Sequence, residues 1–308
     1  MTLPIRPPLI VHHMAALDGT EPPNSLEGVR ASLDAGAAFI EVDITALAQS
    51  DYLLVHDPVL ESETTGSGPV GQCTPEQVRH LFIKANGIVS NRHVAVLSEV
   101  VAAFLDHPGP CRLQLDFKNM IPFPTDEPLH RLISLIKPLG DRVLVSTGAD
   151  WQLRKLRKLA PWLDLGFDVQ FYIDWRPPDE PADPESYPRQ AGAYGYLDDH
   201  PLATQRFWST TDYLADRCGM LMGLVPGVST FYISHKLLAQ SLDDGFNWAE
   251  ELHNNNIKLD AWTLDADRPQ AVINAGRLLA AGVDQFTTNT PAALRELLNG
   301  KMSDPATV

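Results

Sequence analysis

Residues 38–44, Ala-Phe-Ile-Glu-Val-Asp-Ile, constrain the fold more than any other stretch. The run is short and apolar, as in a buried strand, yet it carries two acids near its end. Alternation along a strand puts Glu41 and Asp43 on one face and Val42 on the other. Neighbouring carboxylates in an apolar strand repel each other and resist the loss of water. Something positive must sit between them, and a bound divalent cation is the economical solution. A strand piece at residues 52–56 follows and leads into His56-Asp57-Pro58.

Around this stretch the chain alternates short apolar runs with helical patterns. Strands are expected near 9–11, 38–44, 112–117, 143–146, 163–169, 228–233, 258–264 and 283–287. Helices are expected near 26–35, 97–107, 126–138, 150–159, 203–221, 235–255, 268–281 and 291–298. Asn24 or Ser25 is the natural cap of the first helix, and Gly36 its stop. About eight strands, nearly all followed by helices, in 308 residues predict an α/β protein of the (β/α)8 TIM-barrel class. One domain, residues 1–308, carries a small rim insertion after the second strand, at about 57–95. A proline-rich excursion at about 174–201 interrupts the later repeats. A doubly wound sheet is the alternative, but no G-x-G-x-x-G turn follows the first strand.

Charge narrows the partners. The formal net charge is −15, from 39 acids against 24 Lys and Arg, which argues against nucleic acid and anionic membranes. Residues 1–8 lack the apolar core of a signal peptide, and no apolar run is long enough to span a bilayer or give a stable anchor. The three cysteines, Cys73, Cys111 and Cys218, have no metal-ligand spacing, and their odd number favours reduced thiols. A cytoplasmic enzyme with a small-molecule substrate is the expectation.

In a barrel the active site lies at the carboxyl ends of the strands. The residues His12, Glu41, Asp43, His56, Asp116 and Lys118 all fall there. Three carboxylates, two histidines and a lysine suit a hard cation and a phosphate group. At these positions the sequence resembles the glycerophosphodiester phosphodiesterases, metal-dependent (β/α)8 barrels. That family's His-Arg-Gly is met by His12-His13-Met14, and its Pro-Glu-Asn-Thr by Pro22-Pro23-Asn24-Ser25. Its Glu-x-Asp and His-Asp-Pro are Glu41-Val42-Asp43 and His56-Asp57-Pro58. Its Thr-Thr-x-Gly-Ser-Gly loop is Thr64-Thr65-Gly66-Ser67-Gly68, and its Glu-x-Lys is Asp116-Phe117-Lys118. Its late Trp-Thr is Trp262-Thr263, and Gly282-Val283-Asp284 close the pattern. The chain departs from it at His13 (Arg in the family), Pro23 (Glu) and Asp116 (Glu).

The resemblance implies that Glu41, Asp43 and Asp116 hold one divalent cation, Mg²⁺ or Ca²⁺, with Mn²⁺ a further option. It implies His12 and His56 as the acid–base pair, with Lys118 and the ion steadying phosphoryl charge. Trp262 would wall the alcohol portion. His13, in place of the family's Arg, would be a phosphate donor when protonated or a packing residue. The reaction implied is hydrolysis of a small glycerophosphodiester to an alcohol and glycerol 3-phosphate. A phospholipase D-like cleavage of a choline lysophospholipid or sphingolipid is the second reading, since an Asp ligand and a missing Arg-Gly also resemble sphingomyelinase D-type barrels. A non-catalytic binder of phosphate compounds is the third.

Overall fold

The computed structural model describes residues 7–175 and 209–303. Its strands are β1 (Leu9–His12), β2 (Phe39–Ala46), β3 (Tyr52–Leu53), β4 (Phe82–Ala85), β5 (Ile88–His93) and β6 (Arg112–Phe117). They continue as β7 (Val143–Thr147), β8 (Asp164–Asp168), β9 (Thr230–Ser234), β10 (Lys258–Trp262) and β11 (Gln285–Thr288). Eight of these run parallel in the order β1-β11-β10-β9-β8-β7-β6-β2, and β1 pairs with β2 to close the ring. The chain is thus a (β/α)8 barrel. Closure leaves no parallel edge exposed, while β3 adds one short antiparallel step onto β2.

Two faces of the sheet do different work. Ile40, Val42, Ile44, Leu113, Leu115 and Phe117 point outward into the large core between sheet and helices. Burying a side chain of this size contributes about 1.5–3 kcal/mol. The inward residues of the same strands are Phe39, Glu41, Asp43, Gln114 and Asp116, and among the described residues a small apolar group sits in the lumen: Val11, Phe39, Leu144 and Tyr232, with Trp262 against them. Gly166 on β8 makes room for Tyr232, since a Cβ there would stand 2.4 Å from the ring's Cε2. The rest of the lumen is polar, and polar groups in a barrel must find one another or a ligand.

Local signals explain most boundaries. Ser25 Oγ accepts from the Gly28 amide at 3.0 Å, so Ser25 caps the helix Leu26–Asp34, and Gly36 (φ +72°) turns the chain into β2. Residues 235–255, expected as one helix, form two, His235–Asp243 and Trp248–His253. Gly245 sits between them at φ +84°, a left-handed stop carried by Asp244-Gly245. The expected helix 203–221 is described from Thr210 and runs to Leu224, capped by Ser209. The segment between β2 and β6 holds β3, the antiparallel hairpin β4–β5 and the short helices Leu60–Glu63 and Pro75–Val78. Of the excursion at 174–201, only residues 174 and 175 lie within the described residues.

Candidate active site

The acids of β2 and β6 meet at the carboxyl end of the barrel. Register pairs Glu41 with Gln114 and Asp43 with Asp116, so the alternation that turns Glu41 and Asp43 inward brings Asp116 beside them. One oxygen from each of Glu41, Asp43 and Asp116 falls within 4.8 Å of the others. Lys118, just past β6, stands 2.5 Å from Asp116 Oδ2 and 3.0 Å from Asp43 Oδ1. One ammonium against three carboxylates leaves negative charge in excess.

Glu41, Asp43 and Lys118 answer that excess differently. Burial, helped by Asp43 and Asp116, pushes the Glu41 carboxyl well above its ordinary range. Burial also works against Asp43, but Lys118, His56, His13 and the Asn24 amide together hold its carboxyl below the usual value. Lys118 is raised despite its burial, because Asp116, Asp43 and Glu41 surround it. The Met14 amide donates to Glu41 Oε2 at 2.7 Å, while Glu41 Oε1, buried, accepts no hydrogen bond among the described residues. A hard divalent ion fits this arrangement: three converging carboxylate oxygens, surplus negative charge and an orphaned buried acceptor. Glu41, Asp43 and Asp116 are the residues that can hold it.

Asn24 is the residue that fixes Asp43. Its Nδ2 donates to Asp43 Oδ2 at 2.9 Å, and its Oδ1 accepts from the Asp43 amide at 3.0 Å. Asn24 sits at φ +55°, a conformation Asn tolerates better than most residues. Ser146 Oγ donates to Asp116 Oδ1 at 3.3 Å and accepts from Gln114 Nε2 at 3.0 Å. Neither Ser146 nor Gln114 stands out in the sequence, because a lone polar residue in a strand has no pattern to announce it.

The histidines divide unexpectedly. His12 pairs with Ile40 of β2 and Thr288 of β11, and Ile40 belongs to the outer core. His12 therefore points away from the lumen, with Nδ1 3.0 Å from Ser32 Oγ on the first helix and Nε2 buried without a partner among the described residues. Burial, then the nearby Arg295, lowers its pKa to about 4. His13 faces inward. Its Nε2 lies 4.0 Å from Glu41 Oε2, and its Nδ1 meets Asn289 Oδ1 at 2.9 Å. His56 lies on the insertion side and is half exposed, with Nδ1 2.9 Å from Asp57 Oδ1. Glu63 holds this turn by accepting from the His56 amide at 2.6 Å and the Asp57 amide at 3.2 Å. The structure thus brings His13 and His56, not His12, to the acids.

Trp262 ends β10 on the inner face and borders a cleft of about 570 Å³, which Asn289 links to His13. Asp265, Asn289, Lys236 and Arg268 line the same cleft. Tyr172, Trp175 and Met222 pack on the main core.

Fold and site together define a (β/α)8 barrel built around an acidic cluster at its carboxyl end. Residues 16–293 match the glycerophosphoryl diester phosphodiesterase family, and the chain belongs to it. It is accordingly a phosphoric diester hydrolase. A glycerophosphodiester phosphodiesterase of Caldanaerobacter subterraneus is 22% identical over 286 residues, covering 90% of this chain and 92% of its own. Among solved structures, a glycerophosphodiester phosphodiesterase from Parabacteroides distasonis superposes with a TM-score of 0.65 at 14% identity, over 95% of this chain and 97% of that one. A phosphodiesterase of Oleispira antarctica, solved with its product sn-glycerol-3-phosphate, gives a TM-score of 0.63 at 14% identity, over 95% and 97%. No helix among the described residues is long and apolar enough to cross a membrane.

Proposed function

We propose that this chain hydrolyses a small glycerophosphodiester to an alcohol and glycerol 3-phosphate, with one divalent ion held by Glu41, Asp43 and Asp116. The observation that carries the reading is the convergence of those three carboxylates and Lys118 on one end of the lumen. Family membership and the product bound by the Oleispira relative support the glycerol side of the substrate. When bound, the ion would draw charge from the phosphoryl oxygens as they accumulate it. Lys118 would donate to the same group from the other side of Asp43 and Asp116.

The acid–base pair is assigned to His13 and His56. His13 Nε2 would take a proton from the attacking water as its oxygen bonds to phosphorus. The bond from phosphorus to the alcohol oxygen breaks, and His56 would give that oxygen its proton. His56 suits the second role because Asp57 and Glu63 fix its turn at the open rim, where an alcohol can leave. His12, placed between β1 and the first helix, would support the fold. Trp262 would wall the cleft that receives the alcohol portion.

Turnover with Mg²⁺, Ca²⁺ and Mn²⁺ on glycerophosphocholine, glycerophosphoethanolamine and lysophosphatidylcholine tests this reading. Release of glycerol 3-phosphate from the first two, lost on chelation, is the expected result. Choline release from lysophosphatidylcholine alone would favour the lipid reading, and tight phosphodiester binding without turnover would favour a binder.

A further inference from the structure

Asn289 reaches across to His13, and Asp265 reaches Asn289. Asp265 sits just beyond β10 and is buried; its Oδ1 accepts from the Asn289 backbone amide at 2.8 Å and from Thr288 Oγ1 at 3.4 Å. Its Oδ2 accepts from Asn289 Nδ2 at 3.1 Å. An ionised carboxylate can only accept, so the NH₂ end of the Asn289 amide must face Asp265. The carbonyl end, Oδ1, then faces His13 Nδ1 at 2.9 Å, and that contact forms only if His13 Nδ1 carries hydrogen. In a neutral imidazole the other nitrogen must be the lone pair, and Nε2 is the atom turned toward Glu41 and the acid cluster.

We propose that Asp265 and Asn289 are positioning residues that lock His13 as its Nδ1–H tautomer, so that a basic nitrogen faces the reacting phosphodiester. This rests on the assignment of His13 as proton acceptor in the reading above. The logic parallels a serine-protease triad, where exchanging the acid behind the histidine for an amide leaves the geometry and fixes the wrong tautomer, with a loss in kcat of about 10⁴-fold. Here the acid acts one residue further away, through an amide that transmits direction: whichever end Asp265 takes, His13 receives the other.

That directionality gives a specific expectation for Asp265→Asn. The new side chain must keep its carbonyl toward the Asn289 backbone amide, so its NH₂ replaces Oδ2. Asn289 then turns its amide over, presents NH₂ to His13 Nδ1 and forces the Nε2–H tautomer. The exchange Asp265→Asn with Asn289→Asp restores an acceptor beside His13 Nδ1 and removes the conflict, because the new carboxylate accepts from both neighbours.

The test is ¹⁵N NMR of the histidine rings of the whole protein at a pH well above the usual imidazole range, with His13 assigned through a His13→Gln variant. Steady-state kinetics on glycerophosphocholine run in parallel. The wild type should show His13 with its proton on Nδ1, Asp265→Asn with it on Nε2, and the exchanged pair with it on Nδ1 again. Asp265→Asn should lower kcat by roughly 10²–10⁴-fold with little change in KM, and the exchange should recover most of it. An Nε2–H signal in the wild type would overturn the proposal. So would a loss of activity in Asp265→Asn with the tautomer unchanged, or a restored tautomer without restored kcat. Absence of phosphodiesterase activity in the wild type would refute the functional reading instead, while the NMR result would still decide whether the relay exists.

Discussion

Two sets of buried acids share the lumen of this barrel, and they are neutralised by different means. At the carboxyl end, Glu41, Asp43 and Asp116 face Lys118, and one oxygen of Glu41 has no donor among the described residues. Deeper, Asp260 on β10 is fully buried and is held by Thr287, whose Oγ1 lies 2.9 and 3.0 Å from its two oxygens. Burial pushes the Asp260 carboxyl far above its ordinary range, further than the Thr287 contact can pull it down. A buried acid whose charged neighbours are other carboxylates, Asp168 and Asp284, keeps its proton; a cluster of acids with a lysine keeps much of its charge. The first solution is closed and structural, whereas the second leaves surplus charge open to a cation.

The sharpest break between the two sets is functional. Glu41→Gln or Asp43→Asn should abolish turnover and divalent-ion binding by calorimetry, with the fold retained by circular dichroism. Asp260→Asn should leave both within a few-fold of wild type. Chelating the ion from the wild type should lower its melting temperature, because repulsion among the acids returns, and should leave the melting temperature of Asp43→Asn nearly where it was. Full activity in the presence of chelator would show that the acids are neutralised by Lys118 alone.

His12 and His13 repeat the contrast between adjacent residues. His13→Gln should lose roughly 10²–10⁴-fold in kcat on both an alkyl and a p-nitrophenyl phosphodiester, because attack is assisted in each. His56→Ala should lose as much on the alkyl substrate and far less on the p-nitrophenyl one, whose leaving group departs without a proton. His12→Gln should act on stability instead. The folded-state pKa of His12, about 4, lies below the unfolded value of 6.5, so the unfolded chain binds the proton more readily. Stability is therefore lost as pH falls from about 6.5 toward 4, by roughly 3 kcal/mol in all. Urea titrations in that window should show the loss in wild type and much less of it in His12→Gln. A larger effect of His12→Gln than of His13→Gln on kcat would return the catalytic role to His12.

The opposite placement of these two histidines shows where the sequence was legible. The barrel could be read because each strand-helix repeat carries its own period and stops, and because a Glu-x-Asp pair in an apolar run needs a positive partner to stay buried. Asp116 and Lys118 followed from the same alternation. The motif alone marks His12 for acid–base work, whereas alternation along β1 places it outside with Ile10 and turns His13 inward. The missing signal was local: Met14 at φ +51° turns the chain just after His13 and lets its own amide reach Glu41. Asn289 and Asp265 could not be read at all, since their roles depend on β10 and β11 lying beside β1. The split of residues 235–255 was readable from Asp244-Gly245 and was outweighed by the apolar period across it.

The smallest expected effect tests the closed acid. The folded-state pKa of Asp260 is raised above its unfolded value, so above that unfolded value the native state holds a proton the unfolded chain has released. Asp260 therefore lowers stability as pH rises out of the ordinary carboxylate range toward its own shifted value. Asn at this position keeps an acceptor for Thr287 and has no proton to lose. The stability of Asp260→Asn relative to wild type should accordingly increase between acid and neutral pH, with turnover little changed, as followed by urea titrations at a series of pH values. If the difference between the two proteins stays flat with pH, Asp260 does not carry a proton of its own, and a cation or a network must neutralise it as at Glu41. The comparison between the two acid sets would then collapse into one.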